Sequence, residues 1–106
     1  MERIGKYVDH IKEELEGAKE YAECYVDYKV RSNNSSDPYS KEMTARYKEM
    51  ANDELRHANY LHEEAMTEIS KLEQVITPPE EMLERWKSAH NYYVEKTAWV
   101  KQMLAL

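Results

Sequence analysis

Glu54 and His57 are the two residues whose types and spacing suggest chemistry most directly. On a helix, residues three positions apart lie on neighbouring surface, so this carboxylate and this imidazole could bind one ion together. Residues 50–65 contain neither glycine nor proline, which favours a helix there. Carboxylate oxygen together with imidazole nitrogen is a ligand set that suits iron and other first-row divalent metals. The pair is therefore a candidate for half of a metal site.

A second carboxylate, Glu14, has a similar place in the sequence pattern. It lies between Ile11 and Ala18 in a series of apolar residues at helical spacing that runs from Ile4 to Val30. Glu54 interrupts a second such series, which runs over residues 43–72, and it lies there between Met50 and Ala58. If the two apolar stripes face each other in adjacent antiparallel helices, Glu14 lies near Glu54, and the sequence leaves open whether that Glu54 belongs to the same chain or to a partner. A carboxylate in a buried stripe is costly unless its charge is satisfied, and a metal ion is one partner that satisfies it.

The sequence predicts an all-α fold, in which a long antiparallel hairpin of two helices carries a third packed helix. Apolar periodicity predicts helices over residues 4–30, 38–72 and 78–103. Turn-forming residues predict a loop over 31–38, in which Asp37 is the N-cap of the second helix and Pro38 its first residue. The segment 77–80 has the pattern of a capping box, which predicts that the third helix begins directly after Thr77.

Composition limits the class of protein and its partners. The 106 residues form one predicted domain, and three slim helices leave so little interior that we expect a homo-oligomer, at least a dimer. A net charge of −6 without a basic patch argues against nucleic acid as a partner. The single cysteine, Cys24, excludes an intrachain disulfide. No signal-peptide or membrane-spanning apolar run is present, so we expect a cytoplasmic protein with no membrane partner.

Two segments of the chain resemble a known family. The sequence EELEGAKEY at residues 13–21, taken with DELRH at 53–57, resembles the helix pair of ferritin-like and rubrerythrin-type proteins. The similarity covers about residues 11–65. It is closest to the encapsulated ferritins, whose half-size chains pair to build a ferroxidase centre between subunits. The whole chain also resembles small helical proteins encoded by phages and prophages of Gram-positive bacteria.

The family resemblance implies a shared di-metal site. Complete sites of this class use a Glu from each of two helices and a Glu-x-x-His from each of two others. One chain holds half of that set, so two chains would complete a ferritin-like bundle around two iron ions, with manganese as the alternative metal. Glu14 and Glu54 would bind or bridge the ions, His57 would bind one of them, and Tyr21 would lie nearby. Fe(II) oxidation by O₂ or peroxide would be the activity. Three acidic residues would attract cations to the entrance: Glu13, Glu16 and Glu20.

A different interpretation of the same residues stays open at this point. Glu14 and Glu54 can be edge residues paired with lysine or arginine, and His57 can be a half-buried histidine bonded to Glu14 or to a tyrosine. The chain would then be a non-enzymatic helical interaction protein, phage-encoded, whose oligomeric surface is its function. The remaining histidines are expected to be ordinary surface or packing residues: His10, His62 and His90.

Overall fold

Three long helices account for the architecture. The computed structural model describes residues 2–34 and 37–106. In that part of the chain α1 spans Glu2–Asn34, α2 spans Pro38–Glu73 and α3 spans Glu80–Leu104, and no strand is present. The predicted all-α class is therefore confirmed. The molecule is a rod of 60 × 16 × 16 Å, and none of the described helices is both long enough and apolar enough to cross a bilayer.

The first two helices form a long antiparallel hairpin. Arg3 of α1 pairs with Glu68 of α2 at 3.4 Å near one end, and the rings of Tyr28 and Tyr39 pack together near the other. The third helix packs mainly on α1 and contacts α2 along a shorter seam. Because α3 is a single helix, it covers one side of the hairpin and leaves the other side open.

The core follows the predicted stripes, but the buried face of α2 is rotated. Leu55 and His62 are buried there, whereas Met50 is 38% exposed. The rotation follows from packing, because α2 contacts α1 and α3 together and buries the face between them. As a result Glu54 lies at the edge of the stripe, partly exposed, rather than inside it. The buried residues of α1 match the prediction, namely Ile4, Val8, Ile11, Leu15, Ala18, Ala22 and Tyr25.

The connection between α1 and α2 is shorter than predicted. Residues 31–34 continue α1 instead of forming a loop, and the Arg31 guanidinium lies 5.0 Å from the ring centre of Tyr28. A basic residue in the last turn of a helix is favourable for the helix dipole. Ser35 and Ser36, also part of the predicted loop, lie outside the described residues. The predicted N-cap is confirmed, because the Asp37 carboxylate accepts a hydrogen bond of 3.1 Å from a backbone N–H.

The third helix begins later than the capping-box pattern predicts. Its first residue is Glu80, and Pro79 precedes it with extended backbone and no side-chain cap. The prediction from Thr77 was wrong because each residue before a proline is kept out of the helical region. Pro78 precedes Pro79, so a helix cannot start until the second proline has passed. The first turn of α3 carries Glu80 and Glu81, whose negative charges interact favourably with the positive end of the helix dipole.

Candidate metal centre

The three predicted ligands meet within a single protomer. Glu14, Glu54 and His57 each offer one ligand atom, and these atoms all lie within 4.8 Å of one another. The Nδ1 atom of His57 is 3.6 Å from Oε2 of Glu14. Glu14 comes from α1, and the other two residues come from successive turns of α2. We call these three residues the acidic triad.

The helix hairpin explains how the triad forms. A spacing of three puts Glu54 and His57 on adjacent turns of α2, and the antiparallel pairing of the hairpin brings Glu14 opposite them. Gly17, almost one turn after Glu14, lies beside the Glu54 side chain. A Cβ atom at Gly17 would lie 3.6 Å from the Glu54 carboxylate carbon and from its Oε2. The Glu54 carboxylate therefore rests against the backbone of α1.

The burial of the triad differs among its members. The Glu14 side chain is 25% exposed, whereas His57 is 75% exposed. His57 is thus a surface residue beside a carboxylate and not the half-buried histidine that one interpretation expected. No lysine or arginine among residues 2–34 and 37–106 forms an ion pair with Glu14 or Glu54. Among those residues, Glu14 has its ion-pair contact with His57.

The triad has the chemistry and nearly the dimensions of a metal site. Ligand atoms bind first-row divalent metals at about 2.0–2.2 Å, so three of them spread around one ion are about 3–4 Å apart. The observed limit of 4.8 Å requires the ligand atoms to move closer together by about 1 Å, and the exposed imidazole of His57 is free to make such a movement. Two carboxylates and one imidazole suit Fe(II) or Mn(II). Three protein ligands leave further coordination positions for water or for ligands from a second chain.

A row of tyrosines extends along the same hairpin toward the α1–α2 connection. Tyr21 lies one turn of α1 beyond Gly17, and its ring centre is 6.2 Å from that of Tyr47. Tyr47 stacks on Tyr28 at 5.5 Å, and Tyr28 meets Tyr39 edge-on at 6.2 Å. Partial burial, followed by the nearby Cys24 thiol and the other tyrosines, raises the pKa of Tyr47. The Tyr47 hydroxyl is therefore neutral at physiological pH.

Glu16 does not belong to the entrance of the triad, contrary to the expectation from the sequence. Its carboxylate accepts a hydrogen bond from the Tyr92 hydroxyl of α3, on the other side of α1. Burial and this bond raise the pKa of Tyr92 to about 12. Glu13 and Glu20 are exposed on α1 and stay available to attract cations.

Two histidines outside the triad form a pair that the sequence analysis missed. Nε2 of His62 lies 2.7 Å from Nδ1 of His90, and His62 is only 7% exposed. The His62 ring stacks on Tyr93 with centres 4.1 Å apart and tilts against Trp86 at 5.2 Å. His62 sits between Ala58 and Ala65 at helical spacing, so its burial could have been predicted. Its contact with His90 depends on how α3 packs, which no spacing within α2 indicates.

Comparison with known proteins adds no family assignment. No protein-family model, curated protein or solved structure matches this chain. The ferritin-like resemblance of the two helix segments therefore stays a prediction, and the geometry of the acidic triad is the main support for a function.

Proposed function

We propose that this protein binds Fe(II) through Glu14, Glu54 and His57 as a ferritin-like helical protein. The observation that carries the proposal is the convergence of these side chains from two helices to within 4.8 Å. Exposed acidic groups are common in proteins that bind no metal, but this group has two features that favour metal binding. It combines oxygen and nitrogen ligands of the types that iron prefers, and no lysine or arginine of the described chain neutralises it.

The site is proposed to be shared between two copies of the chain. One triad supplies half of the ligands that carboxylate-bridged di-iron bundles use. The side of the hairpin that carries the triad is free of α3, and it leaves apolar surface uncovered beside the ligands. Met50, one turn before Glu54, is 38% exposed, and Tyr39 at the end of the tyrosine row is 56% exposed. Packing two such sides together would cover this surface and bring two triads around two metal ions.

The proposed reaction is oxidation of the bound Fe(II). Two Fe(II) ions would each lose one electron to O₂, which with two protons becomes hydrogen peroxide. Peroxide as oxidant would instead take the two electrons and two protons to give two water molecules. The protein side chains would hold the two ions and offset their charge, and Mn(II) would bind to the same ligands without this reaction.

Variants of the triad test this proposal. Fe(II) oxidation should be measured under air in the parent chain, in Glu54→Ala and His57→Ala, and in His10→Ala, which removes an exposed histidine outside the triad. The proposal expects both triad variants to lose the rate and His10→Ala to keep it. Equal rates in all four proteins would contradict the proposal. The mass of the parent in solution, with and without iron, tests whether two chains pair.

A second function, that of a helical interaction protein without a metal, is favoured by a different observation. Large apolar side chains stay exposed on α2 away from the triad, with Tyr60 at 59% and Met66 at 48% exposure. The contact of Glu14 with His57 also gives one carboxylate a partner without any ion. Under this function, metal would leave the melting temperature of the parent unchanged, whereas an ion bound only by the folded chain raises it.

A further inference from the structure

The seam between α2 and α3 contains a buried polar contact that the metal proposal does not use. His62 of α2 and His90 of α3 face each other with 2.7 Å between Nε2 and Nδ1. Aromatic rings surround the pair, since Tyr93 stacks on His62 at 4.1 Å and Trp86 lies 6.0 Å from His90. A further polar link across this seam is a hydrogen bond of 2.8 Å from the Tyr93 hydroxyl to Asn59. The histidine pair is thus a principal connection of α3 to α2.

A hydrogen bond between two imidazole rings depends on one shared proton. With both rings neutral, an N–H of one donates to the bare nitrogen of the other. One added proton goes to an outward-facing nitrogen and leaves that bond in place. A second added proton puts N–H groups on both facing nitrogens, so the acceptor disappears and two cations face each other. The contact therefore holds in the first two states and is lost in the third.

We propose that His62 and His90 form an acid-sensitive latch between α2 and α3. The latch is closed while at least one ring is neutral, and it opens when both rings are protonated. Opening widens the groove that Tyr60, Tyr93 and Thr97 line between the two helices, while α3 stays packed on α1. The seam is suited to opening, because Thr97 Oγ1 is already buried there without a hydrogen-bond partner in the described chain.

The charges around the pair fix the direction of the pH effect. Burial first, and then the neighbouring His90, lower the pKa of His62 below its ordinary value of 6.5, and Glu63 of α2 opposes the shift. Burial and the charge of Glu63 raise the pKa of Tyr93, so its hydroxyl stays neutral. No charged group of α1 acts on His62 in the described chain, since α1 gives apolar residues to the clusters around Trp86.

The sign of the linkage follows from these shifts. The folded chain binds a proton at His62 less readily than the unfolded chain does. The stability that neutral His62 contributes is therefore fully present above the unfolded pKa of 6.5. It is lost as the pH falls below that value toward the lower folded pKa. The unfolding equilibrium constant changes by about tenfold for each unit between the two pKa values. The latch thus works in the mildly acidic range where histidine switches operate.

Urea unfolding at about pH 7.5 and about pH 5 tests the latch. Four proteins are compared: the parent, His62→Phe, His90→Gln and the exposed-histidine control His10→Gln. We expect the parent and His10→Gln to lose the same stability on acidification. His62→Phe keeps a ring between Tyr93 and Trp86 but cannot be protonated, so it should lose less. His90→Gln should also lose less stability than the parent on acidification. It provides the same test if His62→Phe does not fold.

A local readout separates opening of the seam from general acid unfolding. With Trp99→Phe as background, Trp86 is the remaining tryptophan, and acrylamide quenching reports its access to solvent. Quenching should increase at about pH 5 while circular dichroism stays helical, and His62→Phe should abolish the increase. Quenching that does not respond to pH would overturn the latch. The same would follow if His62→Phe and His90→Gln showed the full pH dependence of the parent.

Discussion

Replacing Glu54 with glutamine should have opposite effects on stability without and with metal. Without metal, Glu54 and Glu14 hold two like charges within 4.8 Å. Two unit charges at that separation repel by about 1 kcal/mol in water and by about 3.5 kcal/mol at an effective dielectric constant of 20. The triad opens to solvent, so the lower figure applies. We expect Glu54→Gln to stabilise the metal-free protein by about 1 kcal/mol, or about 4 °C in Tm.

With metal present, the order of the two proteins should reverse. An ion that binds only the folded parent, at a hundred times its Kd, adds about 2.7 kcal/mol of stability. A neutral amide is a weaker ligand for a hard cation than a carboxylate is, so Glu54→Gln should gain much less. The parent should then be the more stable protein, although it is the less stable one without metal.

Thermal unfolding followed by circular dichroism measures both effects. Fe(II) should be added without oxygen, and Mn(II) provides the same test in air. Glu13→Gln is the matched control, because it changes the net charge equally on an exposed position next to Glu14. The reasoning is refuted if metal raises the Tm of Glu54→Gln as much as that of the parent. It is also refuted if the metal-free variant is the less stable of the two.

Three further substitutions test the fold that positions the triad. Leu15→Ala removes a fully buried side chain between the helices, and urea unfolding should show a loss of about 2–5 kcal/mol. Asp37→Ala removes the N-cap of α2 and should cost about 1 kcal/mol in the same assay, with Asp37→Asn nearer to the parent. Gly17→Ala should stabilise α1 by about 0.5–1 kcal/mol in thermal melts and leave metal content unchanged, because its Cβ makes an ordinary 3.6 Å contact with Glu54.

The helices and most of the core could be predicted from the sequence, because local periodicity determines them. The extent of α2 and the cap at Asp37 needed only apolar spacing and turn chemistry, whereas α1 continues through residues 31–34, where turn-forming residues predicted a loop. The start of α3 was misplaced because the capping-box pattern was considered without the constraint that Pro79 places on Pro78. Val30, the last residue of the predicted apolar series of α1, is 52% exposed. Helical spacing alone therefore does not show that another helix covers the end of the series.

The candidate site was predictable in part for the same reason. Glu54 and His57 share a helix, so spacing alone predicted that they are neighbours, whereas spacing left open whether Glu14 meets them within one chain or from a partner. The depth of the triad was not predictable, since the rotation of α2 toward α3 leaves Glu54 at the edge of the stripe. The pair of His62 and His90 depends on the register of α3 against α2, which helical periodicity does not contain.

Metal stoichiometry tests the central proposal most directly. The parent, Glu54→Ala and the control Glu13→Ala should be purified without chelators, loaded with Fe(II) in the absence of oxygen, freed of unbound metal and analysed for iron. The proposal predicts about one iron per chain in the parent and in Glu13→Ala, as a pair of chains around two ions requires. It predicts that Glu54→Ala loses this iron. Iron far below one per chain, or a content that Glu54→Ala leaves unchanged, would contradict a metal site at the acidic triad.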